Sequence, residues 1–153
     1  MARRPEEILR DAGVPFVVHE HVPVATVAEI VEALPFPARE HVKTLAFDAN
    51  GRVVLAALRG SDRLAYGALA RAAGVPRDRL RPLPPERVRE ELGLEPGGVC
   101  PLADGATVLV DRQVLELERA FCGSGRNDAT LEISPAGLVA AARATVTELA
   151  QPG

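Results

Sequence analysis

Val42-Lys43-Thr44-Leu45-Ala46-Phe47, Asp48-Ala49-Asn50-Gly51 and Arg52-Val53-Val54-Leu55-Ala56-Ala57-Leu58 follow one another without a break. The outer runs are β-rich, combining β-branched residues with Leu and Phe, which suit a pleated and half-buried surface. Between them, Asn50 and Gly51 accept the positive φ that a tight reversal requires. The stretch predicts a β-hairpin, and with it a sheet that is at least partly antiparallel.

Working outward, residues 5–12 read as a short helix stopped by Gly13, and Val14 to His19 as a strand. Thr26-Val27-Ala28-Glu29 has the form of a capping box, in which hydroxyl and carboxylate each satisfy a free N–H at a helix start. That helix should run to Leu34, before Pro35 and Pro37. Beyond the hairpin, Ser61 or Asp62 is expected to cap a Leu- and Ala-rich helix ending at Gly74. A further helix is expected from Pro85 to Leu92, with Gly93 after it. Thr107 to Val110, Leu117 to Cys122 and Thr130 to Ile133 read as strands. Ser134-Pro135 then opens a last helix, with Ser at the N-cap and Pro in the first turn. No segment repeats and no linker divides the chain. The expectation is one α/β domain over residues 1–153, with a mixed or largely antiparallel sheet.

Composition narrows the function. The chain has 153 residues, 47% hydrophobic and 25% charged, with a net charge of −3. An acidic balance argues against a protein that grips long duplexes through many phosphates, so DNA is not an expected partner. Contact with one end of a nucleic acid stays open. Aromatic residues are 3% of the chain, too few for a row of base-stacking platforms. No apolar run approaches the roughly 18 residues of a membrane span, and no apolar segment follows the basic N-terminus. A cytoplasmic location is expected. The 2 cysteines, Cys100 and Cys122, form no CxxC pair and read as core or near-site thiols.

Lys43 stands out. The chain has 18 basic residues, and all but this one are arginine. A position needing only positive charge would most readily be Arg here. One lysine points to a site that guanidinium cannot serve: a compact ammonium with three rotatable donors and a pKa that burial can lower. Strand alternation puts Lys43, Leu45 and Phe47 on one face. A charged group there is either a snorkelling lysine at the sheet edge or part of a site.

Two glycine loops are further candidates. In Glu95-Pro96-Gly97-Gly98-Val99-Cys100-Pro101 the paired glycines let backbone approach a ligand and offer N–H groups to a developing oxyanion; a plain turn is the alternative. Gly123-Ser124-Gly125-Arg126-Asn127-Asp128 lacks the spacing of a nucleotide-binding loop and reads as a polar loop beside a pocket. The 3 histidines, His19, His21 and His41, lack metal-ligand spacing, and neither Ser61 nor Ser124 sits in a G-x-S-x-G elbow. Neither a metal nor a serine triad is expected.

In order along the chain, His41-Val42-Lys43-Thr44-Leu45, Gly97-Gly98-Val99-Cys100-Pro101 and Gly123-Ser124-Gly125 leading to Leu131-Glu132-Ile133-Ser134-Pro135 resemble the YbaK/prolyl-tRNA-synthetase-associated domain family. The resemblance covers about Val14 to Leu138. It implies a mixed α/β fold with a mostly antiparallel, barrel-like sheet and flanking helices. It implies hydrolysis of the ester between an amino acid and the terminal adenosine at the 3′ end of tRNA, in trans, for a small misacylated residue such as Ala, Cys or Ser. A non-catalytic aminoacyl-tRNA or amino-acid binding module, acting with a synthetase, is the alternative. Lys43 matches the family's essential lysine, and Gly97 and Gly98 would polarise the ester carbonyl. Thr26, Leu45, Pro101, Ser124 and Gly125 would line the substrate pocket. An aminoacyl-tRNA synthetase is an implied partner, and no cofactor is needed. Cys100 stands where many family members carry Ser.

Overall fold

The computed structural model describes residues 3–152. Its helices are α1 (Pro5–Asp11), α2 (Val27–Ala33), α3 (Tyr66–Ala73), α4 (Pro85–Arg87) and α5 (Pro135–Ala142). The strands are β1 (Phe16–Glu20), β2 (Val42–Ala49), β3 (Arg52–Arg59), β4 (Leu80–Pro82), β5 (Thr107–Asp111), β6 (Ala120–Gly123), β7 (Ala129–Ile133) and β8 (Thr145–Thr147).

The hairpin forms as its sequence dictates. Lys43 pairs with Leu58 and Ala49 with Arg52. Asn50 and Gly51 have φ of +54° and +94°, the two positive values of a primed hairpin turn. Strand β3 is apolar almost throughout because both its faces are covered. Leu55 and Ala57 enter one core, with β7, α1 and α5, while Val54, Ala56 and Leu58 enter another against α3.

Two sheets result. The larger has the order β4-β2-β3-β5-β8 and the smaller the order β1-β7-β6. Four of the ladders are antiparallel, and only β3–β5 and β5–β8 run parallel. The long connection from β3 to β5 supplies the crossover that a parallel pair needs, and it carries α3 and α4. The mixed, mostly antiparallel α/β reading therefore holds. The barrel-like closure does not: the sheets share a core, but among the described residues their one strand pairing is the bridge between His41 and Phe121.

Local differences from the expected elements have physical causes. Helix α3 begins at Tyr66 with Ala65 at its N-cap, not at Ser61 or Asp62. The Asp62 carboxylate is instead held by the Arg59 guanidinium at 2.8 Å. At α2 the Thr26 hydroxyl accepts from the Glu29 N–H at 3.2 Å, but the Glu29 carboxylate meets that hydroxyl and not the Thr26 N–H. The cap is therefore half of a box, and such a cap contributes about 1 kcal/mol. The helical stretch of α4 continues as a π-turn over Val88–Leu92, before Gly93. Residues 117–119 stay outside β6, because a 3-10 turn over Arg112–Glu116 follows β5. The buried Asp111 carboxylate caps that turn through the Gln113 N–H and takes the Leu149 and Ala150 N–H groups as well.

Candidate active site

Strand β4 covers β2 only from Phe47 to Ala49. At the other end the His41–Phe121 bridge holds β6. Between them, from Val42 to Leu45, that edge of β2 has no ladder partner among the described residues. A cavity of about 270 Å³ lies along this open edge, lined by residues that include Lys43, Thr44, Leu45, Thr26, Gly97 and Gly123. Because it follows an edge and not a face, neighbouring residues of β2 line it together. Phe47 shares the face of Lys43 and Leu45, opposite Val54, Leu58 and Ala56 respectively, but lines the adjoining cavity.

Lys43 is half-buried, and its ammonium donates to the Asp62 carbonyl on the loop after β3. Burial pushes its pKa below the ordinary lysine value; the nearby Asp62 charge opposes that shift and Arg63 adds to it. The Asp62 carboxylate is itself paired with Arg59, so the lysine is held chiefly by a backbone oxygen and keeps donors to spare.

The opposite wall is built where three loops approach within backbone contact. A Cβ on Gly97 would lie 2.0 Å from the Val24 carbonyl oxygen, and one on Gly98 would lie 2.4 Å from that of Arg126. A Cβ on Gly123 would lie 2.2 Å from the Val99 oxygen. Backbone hydrogen bonds tie the loops together: Val24 N–H to Asn127 at 2.9 Å, Glu95 N–H to Gly125 at 2.9 Å and Gly125 N–H to Gly98 at 2.8 Å.

This packing separates the glycines by role. The Gly98 N–H is taken by the Glu95 carbonyl at 2.8 Å, and Gly98 does not line the cavity. Gly97 and Val99 do line it, and among the described residues their N–H groups have no hydrogen-bond partner. Thr26 and Leu45 also reach the cavity. Pro101 is buried away from it. Ser124 and Gly125 face a small recess of about 90 Å³ beside Pro5 and Gly93. The Ser124 hydroxyl is used structurally there, donating to the Ala129 carbonyl at 2.6 Å.

Several lining residues were not singled out from the sequence. Ile30 is one turn beyond Thr26 on α2, a spacing that could have indicated it; Ala25, Val42 and Val99 look like ordinary core or loop residues. Thr44 carries the clearest structural sign. Its hydroxyl is buried and has no partner among the described residues, as is the Nε2 of His41. His41 and His19 both pack on Phe121, while His19 bonds to Glu132 and His21 to Thr130. Among the described residues, no group of three His, Cys, Asp or Glu is placed to hold a metal, and no helix is long and apolar enough to cross a membrane.

A sequence profile of the aminoacyl-tRNA editing domain matches residues 21–141, which span every wall of the cavity. The chain belongs to the aminoacyl-tRNA editing domain family. Among relatives of this editing domain, the proline–tRNA ligase of Desulfitobacterium hafniense (strain DSM 10664 / DCB-2) is 30% identical over 105 residues, and that of Streptococcus equi subsp. equi (strain 4047) is 32% identical over 104. Each match takes in 67% of this chain but only 18% and 16% of the respective ligase, so the editing domain spans less than a fifth of those proteins. A solved structure of a candidate trans-editing enzyme for prolyl-tRNA synthetase superposes with a TM-score of 0.81 at 27% identity, covering 96% of this chain and 94% of that one. A hypothetical protein of solved structure gives a TM-score of 0.84 at 32% identity, covering 95% and 98%. The family read from the ordered motifs is therefore the family to which the editing domain belongs.

Proposed function

We propose that this editing domain hydrolyses misacylated aminoacyl-tRNA, with the ester bond at the terminal adenosine lying between Lys43 and the Pro96–Gly98 loop. The observation that carries the reading is the convergence of Lys43 and Gly97 on one cavity at the open edge of β2. Water attacks the carbonyl carbon, the bond to the ribose oxygen breaks, and that oxygen leaves with a proton, giving free amino acid and uncharged tRNA. Lys43 acts as a positioning cation towards the aminoacyl group or the terminal phosphate. The Gly97 N–H, with that of Val99, is the donor available to the developing oxyanion; Gly98 is assigned to packing. A free ribose hydroxyl of the substrate assists the water, so no side-chain nucleophile is called for. The apolar lining from Ile30, Val42, Leu45 and Val99 suits a small residue such as Ala, Cys or Ser. The names of the relatives direct the first trial to proline tRNA and to a synthetase partner.

The test is a deacylation panel with Ala-, Ser- and Cys-charged proline tRNA, run on the wild-type chain and on Lys43→Ala. Hydrolysis of at least one charged tRNA by the wild type, lost in the variant, is the expected result. Saturable binding of charged tRNA with no turnover would replace the enzyme by the binding-module reading.

A further inference from the structure

A second cavity of about 280 Å³ adjoins the first and shares Thr44, Leu45, Pro96 and Val99 with it. Its other walls are mainly apolar, from Phe47, Leu83 and Val88, and include the ring of Tyr66 at the start of α3. Tyr66 as a whole residue is 42% exposed. The Arg77 guanidinium lies over its ring, 4.8 Å from the centroid, and Phe47 meets it at 5.9 Å and 85°. These contacts fix the ring while leaving part of it uncovered. Thr44 lines both cavities, and its hydroxyl is buried without a partner among the described residues. A buried hydroxyl without a partner is costly unless a ligand or a water satisfies it.

We propose that the second cavity seats the adenine of the terminal nucleotide, with the base against Tyr66 and the ribose across Thr44. The inference rests on the aminoacyl-tRNA reading above. That substrate has an amino acid and a nucleobase on either side of one ester; the protein has two adjoining cavities, both lined by Thr44. The volume falls just below the roughly 300–1,000 Å³ of drug-sized ligand sites and leaves room for a single base. Its lining also fits: a purine offers apolar faces, which an aromatic ring accepts by stacking without reading sequence. Every tRNA ends in the same nucleotide, so a platform of this kind needs no base-specific contacts.

The chain provides its own reporter. Tyr66 is the one tyrosine, and the chain has 0 Trp, so intrinsic fluorescence reports on this ring. Titration of the full chain with adenosine 5′-monophosphate, corrected for absorbance, should give saturable quenching, and ribose 5-phosphate should give none. No saturable change with the nucleotide, or an equal change with the sugar phosphate, overturns the proposal. Calorimetry on variants adds a second readout. Tyr66→Ala should weaken the nucleotide about tenfold or more, and Tyr66→Phe should hold it within about twofold; unchanged affinity in the alanine variant also overturns it. Neither measurement needs turnover. Nucleotide binding without deacylation removes the enzyme reading and keeps the subsite, whereas deacylation without nucleotide binding does the reverse.

Discussion

The Lys43 ammonium donates to the backbone carbonyl of Asp62, a residue on the loop that follows β3. The bond ties the candidate site to the loop that carries Asp62 and Arg63, and it fixes where the cation stands. An ammonium can keep this bond and still donate to a ligand, because it has three donors on a compact head.

Lys43→Arg should therefore fail almost as fully as Lys43→Ala. The larger planar guanidinium cannot keep the Asp62 bond and fit the same corner of the cavity. Both variants should lose about 100-fold or more in kcat/KM for charged tRNA while melting within a few degrees of wild type, since a half-buried lysine contributes little to packing. Single-turnover deacylation with parallel thermal melts checks this, and an active arginine variant would count against the positioning role.

The Lys43 pKa supplies a signature in pH. Burial lowers it from 10.5 in the folded chain. Below that lowered value the group is charged both folded and unfolded, and its desolvation opposes folding. As pH rises through the folded value towards 10.5, the folded chain loses the proton first and the penalty fades. Lys43→Met should accordingly stabilise the chain at neutral pH, with the gain shrinking at high pH. In the wild type, kcat/KM should fall on the alkaline side below pH 10.5, after correction for spontaneous ester hydrolysis. Urea titrations and rate profiles across alkaline pH read the two effects.

Thr44→Val replaces the unpartnered hydroxyl with a methyl group of the same shape. Without ligand the change should be neutral or slightly stabilising, because no hydrogen bond is lost and an unsatisfied group is removed. With substrate it should raise KM several-fold. Opposite signs in a thermal melt and in a KM measurement would separate a ligand contact from a merely structural threonine.

Gly97→Ala puts a methyl group 2.0 Å from the Val24 oxygen, a backbone atom that cannot step aside. It should destabilise the chain by more than about 2 kcal/mol, as overpacked sites do. Gly67→Ala in α3 is the contrast. There the nearest atom is the tip of the Arg71 side chain at 3.5 Å, and the gain in helix propensity should be up to about 1 kcal/mol. Denaturant unfolding of the two variants checks both signs.

How far the molecule can be read from its residues depends on what each feature rests on. The hairpin is legible because local chemistry suffices: β-rich runs around Asn50 and Gly51. Lys43 is legible because composition makes it unusual. Strands β4 and β8 are three residues each and exist only through pairing with a neighbour already in place, so they have no local pattern to find. The cap expected at Asp62 was claimed by Arg59 across a short loop, a competition that propensity does not record. Gly97 and Gly98 are adjacent and chemically identical, yet one lines the cavity and the other packs on Arg126. Ser124 and Gly125 sit beside Gly123 in sequence but face another recess, since a tight turn sends successive residues in different directions. Apolar wall residues such as Ile30 and Val99 carry no mark that separates them from the core.

The unpaired edge of β2 has one more consequence. An exposed strand edge is a template on which another chain can add a strand, and proteins that keep one must guard it against assembly into fibres. Here the open run is only Val42 to Leu45, too short to hold a foreign strand firmly. Pro96, which has no N–H to offer, lines the same cavity. The gap proposed to admit a substrate should thereby be a poor place for self-association.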